Sequence, residues 1–420
     1  VMECAERLTA PHRRSGLRIG YFADNEVGWW NAALFEFYLS KNWQNHTKRL
    51  LWQLLYDHYE GKWSELLRDW VPAGTTDGFK SLQCAGAGLK LRPGGTGIKL
   101  INRFTYVCAE RYYKLMHDGL RAADPGALIF SDRLPIYYSQ DAVRAMTPYV
   151  DVVAVNYDVD GPDGWLARYF FDGLAALTGK PILVSEFFCA AMENRSGNKN
   201  AGHLLKVPTQ TERALVVQQA LQNFARCPYI IGTHWFQYYD EPTGGRADGE
   251  DYNMGLVDIH DQPYEEVVAS FQQTNSLLPR LHAQANLSRP HLQDAPFVTI
   301  PKAGRIDLSD ASLLDWEKAK TVMLGFAAEP PYVPFADVYL AWDPNGLYLA
   351  TIGMDYVNPE DMFYEDTFPV PETYQLHVLV LIQGRAYHFA IHFMPQEVTF
   401  SPTEATNARG SLVLVPYLYT

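Results

Sequence analysis

The chain has few cysteines and little positive charge. Its five cysteines are an odd number, lie far apart in the sequence and show no C-x-x-C spacing, so neither a disulfide framework nor a zinc site is indicated. Lysine and arginine total 35 against 48 acidic residues, which gives a formal net charge of −13 at pH 7. Because polyanions bind proteins through clustered lysine and arginine, this charge argues against a nucleic-acid partner.

Long apolar runs and nucleotide-binding motifs are also missing. No segment has the length of a membrane span, and the first residues, VMECAERLTAPHRR, lack the apolar core of a signal peptide. The glycine-rich stretch 72–99 has neither phosphate-loop spacing nor a preceding strand, so it predicts a loop. We therefore expect no membrane partner, no metal and no cofactor.

Two strand-like runs that each end in a glutamate are the most informative feature: Leu17–Glu26 and Lys180–Glu186. Each places a carboxylate at the C-terminal end of a buried strand. A single glutamate of this kind is more often a helix cap or a surface ion pair. Two of them match the needs of glycoside hydrolysis, in which one acid protonates the leaving oxygen and the other attacks the anomeric carbon or activates water.

Strands alternate with helices from about residue 17 to residue 275, which predicts five parallel βαβ units. The predicted strands are 17–26, 127–130, 151–157, 181–186 and 229–236, and the predicted helices lie within 29–70, 104–123, 142–148, 165–177 and 211–225. Polar residues gather at the strand ends: Asn25, Glu26, Asp132, Arg133, Asn156, Tyr157, Glu186, His234 and Trp235. This distribution is typical of the functional face of a (β/α)8 TIM barrel, with a doubly wound sheet as the alternative α/β fold.

The pattern changes after residue 276. Residues 277–301 mix proline with polar residues without a period, which indicates a linker. Beyond the linker, the runs 337–343, 346–352, 374–382 and 386–393 alternate like antiparallel strands. The expected domains are thus a βα domain at 1–276, the linker 277–301 and a β-sandwich at 302–420.

Several segments resemble glycoside hydrolase family 50, the β-agarase family of clan A, and more distantly the family 42 β-galactosidases. They are GYFADNEVGWW (20–30), DPGALIFSDR (124–133), DVVAVNYD (151–158), KPILVSEFF (180–188), TQTERA (209–214) and the long stretch 232–268. The resemblance implies a retaining hydrolase acting on a β-galactan such as agarose. Glu26 would be the general acid/base after barrel strand 4, and Glu186 the nucleophile after strand 7.

The resemblance also implies roles for neighbouring side chains. Asn25 is expected to bind a sugar hydroxyl, Tyr157 to lie near the nucleophile and Trp235 to form the floor of the subsite. His234 and Arg133 are expected either to bind substrate or to order the two glutamates. In the retaining arrangement the carboxyl groups lie about 5–5.5 Å apart. Desolvation and the neighbouring carboxylate are expected to raise the pKa of the acid.

The resemblance further implies that this chain supplies about strands 4–8 of the barrel, because the acid/base strand of clan A is the fourth. Five units do not close an eight-stranded barrel and leave strand edges open. We therefore expect an N-terminal barrel segment (strands 1–3), absent from this chain, as a partner beside the polysaccharide or oligosaccharide substrate. The segment is a separate polypeptide, an upstream part of the same gene product, or another copy.

The C-terminal strands resemble a family 9 carbohydrate-binding or DOMON-like β-sandwich through residues 307–319 and 336–356. Trp342, Tyr348 and Tyr356 are candidate sugar contacts, with a purely structural sandwich as the alternative. The acidic run Asp248–Asp251 lacks EF-hand spacing, so a solvated or substrate-lining loop is expected.

Two alternative functions remain open at this stage. The first is a β-galactosidase or β-glucanase of the same clan, and the second is a non-catalytic carbohydrate-binding remnant. A secreted or periplasmic location is expected from the resemblance, although no signal peptide is visible in the chain.

Overall fold

A computed structural model describes residues 1–92, 95–135, 139–157, 164, 166, 168–201, 204–285, 302, 336–353, 375–382, 385–392 and 399–403. Its α-helices are α1 (Met2–Thr9), α2 (Asn31–Leu39), α3 (His46–His58), α4 (Trp63–Asp69), α5 (Ile98–Ala123), α6 (Gln140–Met146), α7 (Arg168–Thr178), α8 (Gln210–Ala225), α9 (Glu265–Asn275) and α10 (Leu278–Ala283). Short 3-10 helices cover Ser81–Gln83 and Thr147–Tyr149. Within these residues, no helix combines the length and the apolarity that a membrane crossing requires.

The strands are β1 (Gly20–Phe22), β2 (Trp70–Ala73), β3 (Gly88–Leu91), β4 (Leu128–Phe130), β5 (Val153–Asn156), β6 (Ile182–Phe187), β7 (Ala190–Ala191), β8 (Lys206–Val207), β9 (Ile230–Trp235), β10 (Ala336–Asp343), β11 (Gly346–Gly353), β12 (Gln375–Ile382), β13 (Arg385–His392) and β14 (Thr399–Thr403). The chain divides into two compact units. The strand unit comprises Val1–Gly28, Ala109–Ile306 and Ser312–Met354, and the helical unit comprises Trp29–Cys108, Asp307–Ala311 and Asp355–Thr420.

Parallel strands form the centre of the strand unit. β1 pairs with β4 in parallel, and the bridges Phe130–Val152 and Leu134–Val155 continue from β4 to the segment of β5. β5, β6 and β9 form a parallel sheet in that order. The strand order is thus β1-β4-β5-β6-β9, with helical segments between successive members. This confirms the parallel βαβ units that the sequence predicts.

The inner strands of this order are buried. All four residues of β5 are buried, and Phe130, Val152, Ala154 and Leu183 form one apolar cluster across β4, the start of β5 and β6. Continuous burial is typical of parallel strands that are covered on both faces. Burying each large apolar side chain contributes about 1.5–3 kcal/mol, so this cluster stabilises the centre of the unit.

The two outer strands differ from the inner ones. Within the described residues, β1 pairs only with β4, and β9 pairs only with β6. Leu17 and Ile19, just before β1, are 94% and 70% exposed, and Ile231 on β9 is 54% exposed. Both ends of the strand order therefore present unpaired backbone beside exposed apolar side chains.

The helical unit has a core of its own between α2, α3, α4 and the first turns of α5. The ring of Trp70 stacks on Phe35 with centroids 5.0 Å apart, and Phe104 meets Phe35 edge-on at 6.2 Å. The side chain of Asn45 caps α3 by accepting from the backbone N–H of Lys48. Lys48 is fully buried, and its ammonium donates to two backbone carbonyls at 2.6 Å each, which offsets the cost of burying the group.

One prediction in this unit is wrong in detail. The stretch 72–99 is not a continuous loop, because β3 lies inside it and pairs antiparallel with β2, with Trp70 opposite Leu91. Gly74 and Gly86, at the inner ends of these strands, have φ of +65° and +73°, which glycine adopts at little cost. The glycines that suggest a loop are therefore the residues that terminate this short pair.

The C-terminal strands are antiparallel, as their alternation predicts. β10 pairs with β11, and β13 pairs with both β12 and β14. The packing of these strands into a sandwich stays a prediction. Residues 307–319, the linker residues 286–301 and Tyr356 lie outside the described residues.

Candidate active site

Glu26 and Glu186 stand at the C-terminal ends of two parallel strands of the strand unit. The backbone N–H of Glu26 donates to the carbonyl of Asp132 at 2.7 Å, which ties the segment after β1 to the segment after β4. Glu26 and Arg133 adopt φ of +49° and +52°. This left-handed conformation costs a non-glycine residue about 1–2 kcal/mol, and such strain concentrates at functional sites.

Hydrogen bonds through Asn156 link Glu26 to Ser185, the residue directly before Glu186. The amide nitrogen of Asn156 donates to Oε1 of Glu26 at 2.8 Å, and its Oδ1 accepts from Oγ of Ser185 at 2.7 Å. Asn156 and Ser185 are 5% and 2% exposed, and Ser185 directly precedes Glu186. Sequence reasoning placed Asn156 at a strand end but assigned it no role, and it missed Ser185. The available signal was only that both are polar residues in otherwise apolar strand ends.

Arg133 contacts Glu186 directly. Its guanidinium donates to Oε1 of Glu186 and, at 3.3 Å, to the carbonyl of Ser185. Burial raises the pKa of Glu186, and the negative charges of Glu26 and Glu250 act in the same direction while Arg133 opposes them. The proton affinity of Glu186 is therefore set by desolvation and two neighbouring carboxylates on one side and by Arg133 on the other.

The desolvated environment that we expect around the general acid, Glu26, is found instead around Glu186. Glu26 is solvent-exposed in the structure, whereas Glu186 retains 18% of its side-chain exposure. The reason is strand position: β1 lies at the edge of the strand order, and β6 lies between β5 and β9. Desolvation, which the sequence leads us to expect at Glu26, thus acts on Glu186.

His234 and Trp235 end β9 on the other side of Glu186. His234 is exposed, its ring lies edge-on to Phe22 at 6.3 Å, and local desolvation together with the charge of Arg133 lowers its pKa. The indole N–H of Trp235 donates to the carbonyl of Met254 at 2.8 Å. The charge of Arg133 thus acts on both His234 and Glu186.

The remaining predicted site residues lie in different surroundings. The backbone N–H of Tyr157 donates to the carbonyl of Glu186 at 2.9 Å, but its ring is 1% exposed and packs against Phe170 and Phe171. Asn25 is exposed, and its Oδ1 lies 3.5 Å from the amide nitrogen of Asn156. Asn25 is therefore beside Glu26, whereas the Tyr157 ring lies in an aromatic core behind the strand end.

The long segment after β9 is organised around a buried aspartate. Asp240, 1% exposed, accepts from Oγ of Ser196 at 2.6 Å, from the hydroxyl of Tyr264 at 2.7 Å, and from Nδ2 of Asn253 and N of Gly255 at 2.8 Å each. With four donors on its two oxygens, the carboxylate holds several turns of irregular chain together. Sequence reasoning missed this residue.

Next to it, a second carboxyl group is buried. Glu241 is fully buried, and its pKa is raised to about 7, chiefly by this burial. A hydrogen bond with Glu250 and the negative charge of Glu250 contribute to the rise. Arg246 forms an ion pair with Glu250, with Nη1 3.0 Å from Oε2. This ion pair holds the acidic run Asp248–Asp251 close to Glu241. The negative charge of Glu250 also contributes to the raised pKa of Glu186.

Two further expectations concern metals and the C-terminal aromatics. Across the part of the chain that the structure describes, no group of three or more His, Cys, Asp or Glu side chains is arranged to hold a metal ion. Trp342 is 42% exposed, and the ammonium of Lys302 lies 5.9 Å from its ring centroid. A role for Trp342 or Tyr348 in sugar binding stays a prediction.

Comparison with known proteins shows which proteins this chain is similar to. No family model matches the chain. β-Agarase B of Vibrio sp. (strain JT0107) is 28% identical over 285 residues, which are 64% of this chain and 28% of that protein. β-Agarase A of the same strain is 31% identical over 160 residues, 37% of this chain and 16% of that protein.

A solved exo-β-agarase structure superimposes with a TM-score of 0.59 at 26% identity, covering 67% of this chain and 39% of that one. The structural neighbours have TIM-barrel-type folds, in accord with the mixed α/β strand unit. The chain spans less than a third of the length of the two Vibrio enzymes. The resemblance that the sequence motifs suggest is thereby confirmed: the homologues of this chain are β-agarases.

Proposed function

We propose that this chain belongs to a retaining β-glycoside hydrolase that cleaves a β-galactan such as agarose, with Glu186 as nucleophile and Glu26 as general acid/base. The observation that carries the proposal is the hydrogen-bonded link from Glu26 through Asn156 to Ser185, the residue directly before Glu186. This link fixes the Glu26 carboxyl group relative to the backbone of β6 next to Glu186, and Arg133 holds the Glu186 carboxyl group. The retaining mechanism requires a fixed relation between the two carboxyl groups, at a separation of about 5–5.5 Å.

In the first step, a carboxylate oxygen of Glu186 attacks the anomeric carbon and forms an ester as the glycosidic C–O bond breaks. Glu26 gives its proton to the leaving oxygen. In the second step, Glu26, now ionised, takes a proton from water, and the resulting hydroxide displaces Glu186 and releases the sugar. Arg133 pairs with Glu186 and favours its ionised form, which is the form that attacks.

The neighbouring residues bind the sugar in this scheme. Asn25 and His234 are exposed beside the two glutamates and supply polar contacts to hydroxyl groups. Trp235 is half-buried, with its ring nearly perpendicular to that of Phe187, and its accessible part stacks on a sugar face. Tyr157 supports the position of Glu186 through its backbone N–H.

We further infer that β1, β4, β5, β6 and β9 are strands 4–8 of an eight-stranded barrel. The unpaired edges of β1 and β9, with Leu17, Ile19 and Ile231 exposed, support this inference. The segment that would pair with these two edges is a three-strand βα segment, most simply an upstream part of the same gene product. Intact-mass measurement on active protein tests it, because a monodisperse, fully active monomer of 47.6 kDa would contradict it.

The remaining organisation follows the sequence. For the domains we propose the division that the sequence predicts, with residues 1–276 as the C-terminal portion of the catalytic barrel, 277–301 as the linker and 302–420 as a β-sandwich that resembles carbohydrate-binding modules. A polysaccharide substrate requires that the enzyme act outside the cytoplasmic membrane, so the proposed location is secreted or periplasmic.

Product analysis on a panel of agarose, porphyran, galactan and β-glucan tests the proposed function. Agarose oligosaccharides of β-configuration at early times would support it, because double displacement retains the anomeric configuration. Turnover of galactan or β-glucan instead of agarose would replace it with another activity of the same clan. Binding without products from the complete particle would show a non-catalytic carbohydrate-binding protein.

A further inference from the structure

A buried arginine lies behind the candidate site. Arg213 stands in the first turn of α8, whose N-terminus is fixed by a reciprocal capping box between Thr209 and Glu212. The side chain is 0% exposed, and in the described part of the chain it forms no ion pair within 4 Å. Burying a charge without a paired charge is costly, so the group needs compensation from neutral partners.

Three oxygen acceptors provide that compensation. Nε donates to the carbonyl of Cys189 at 2.7 Å, Nη2 to the carbonyl of Gly255 at 2.9 Å, and Nη1 to Oε1 of Gln210 at 3.2 Å. Cys189 lies three residues after Glu186, and Gly255 belongs to the segment held by Asp240. One guanidinium therefore joins the chain after β6 to the chain after β9.

The same guanidinium contacts two aromatic rings. Its carbon lies 5.4 Å from the ring centroid of Trp235 and 5.5 Å from that of Tyr264, within the range of cation–π attraction. Tyr264 in turn donates to Asp240. The rings of Phe187 and Phe271 stand steeply inclined to that of Trp235, with centroids 5.2 and 5.3 Å away, and Arg213 adds a cationic contact to these aromatic ones.

We propose that Arg213 is a positioning residue for substrate, because it fixes the plane of Trp235 and the backbone after Glu186 relative to one another. This inference rests on the proposed function in taking Trp235 as the sugar-stacking residue. A planar guanidinium with directed donors suits this task, whereas an ammonium does not supply the fork that reaches three acceptors.

The test compares R213K and R213M with R226K and R226M in the full active protein. Arg226 is exposed at the C-terminal end of the same helix, so its variants control for charge and helix effects. We expect R213M to raise KM for agarose oligosaccharides roughly tenfold per folded molecule, with R213K between R213M and wild type. The R226 variants should match wild type.

Adding R213M to W235A should cost little more than W235A alone, since the proposed effect passes through Trp235. Additive losses would show that Arg213 acts elsewhere. Wild-type KM and kcat in R213M, with only thermal stability lowered, would show a structural role. If R213M does not fold, R213K gives the same comparison, because wild-type kinetics in R213K would also contradict the proposal.

A second readout separates this inference from the proposed function. The near-UV circular dichroism of Trp235, obtained as the difference between wild type and W235F, should be strongly reduced in R213M and unchanged in R226M. Loss of that signal without any agarose turnover in wild type would keep the positioning role and refute the proposed activity. Retention of the signal in R213M would overturn the positioning role.

Discussion

Glu26 and Glu186 follow similar apolar runs in the sequence, yet their surroundings in the structure are opposite. Glu186 extends from an inner strand, is mostly buried and is paired with Arg133. Glu26 follows an outer strand and is exposed, and one amide donor from Asn156 holds it. The difference shows that the strands on either side, rather than the local motif, set the electrostatics of a strand-end carboxylate.

The largest effect is expected from removing the buried member of this pair. E186Q should lower kcat on agarose oligosaccharides by at least about 10⁴-fold with folding intact, because the isosteric amide does not attack the anomeric carbon. The control is E65Q, at an exposed glutamate of the helical unit. Full activity in E186Q would reject Glu186 as the nucleophile.

The exposed member should give a smaller and substrate-dependent effect. E26Q should lower kcat by about 10²–10⁴-fold on substrates with poor leaving groups and much less on activated aryl glycosides, because general acid assistance matters little there. Added azide should restore turnover and give a β-glycosyl azide, measured by NMR. An α-azide would demonstrate inversion instead of retention.

Substitution of Trp235 tests whether the end of β9 next to Glu186 binds sugar. W235A should lower kcat/KM by roughly tenfold on every substrate, through loss of ring stacking. Kinetics per folded molecule and thermal unfolding are to be measured together. A large fall in melting temperature with unchanged kinetics would assign the indole to the core.

The smallest effect concerns a buried carboxyl group outside the pair. The folded-state pKa of Glu241, about 7, lies above its ordinary value of 4.5, so the folded state binds this proton more tightly than the unfolded state. The stabilisation is complete below the ordinary carboxyl range and is lost as pH rises through about 7.

Urea unfolding across this range measures the effect. The free energy of unfolding should fall with rising pH in wild type and fall less in E241Q, whereas E65Q should follow wild type. An E241Q slope equal to that of wild type would mean that this group does not link folding to pH.

Local patterns in the sequence were sufficient to predict the parallel βαβ units and the antiparallel C-terminal strands. Alternation and apolar runs depend on nearby residues and on the side-chain period, and both can be read from the sequence alone. They did not predict β3, because a four-residue strand next to glycines has too short a pattern. They also did not predict the buried links at Ser185, Asp240 and Arg213, whose partners lie far away in the chain.

The identity of the candidate carboxylates and of their family could be inferred from short motifs, since those motifs are contiguous. The burial of these carboxylates could not be inferred from the motifs. Glu186 is desolvated because β5 and β9 flank its strand, and Glu26 is exposed because β1 pairs on one side in the described residues. Strand neighbours are set by pairing between distant segments, and the free energy of desolvation depends on those neighbours rather than on the adjacent residues.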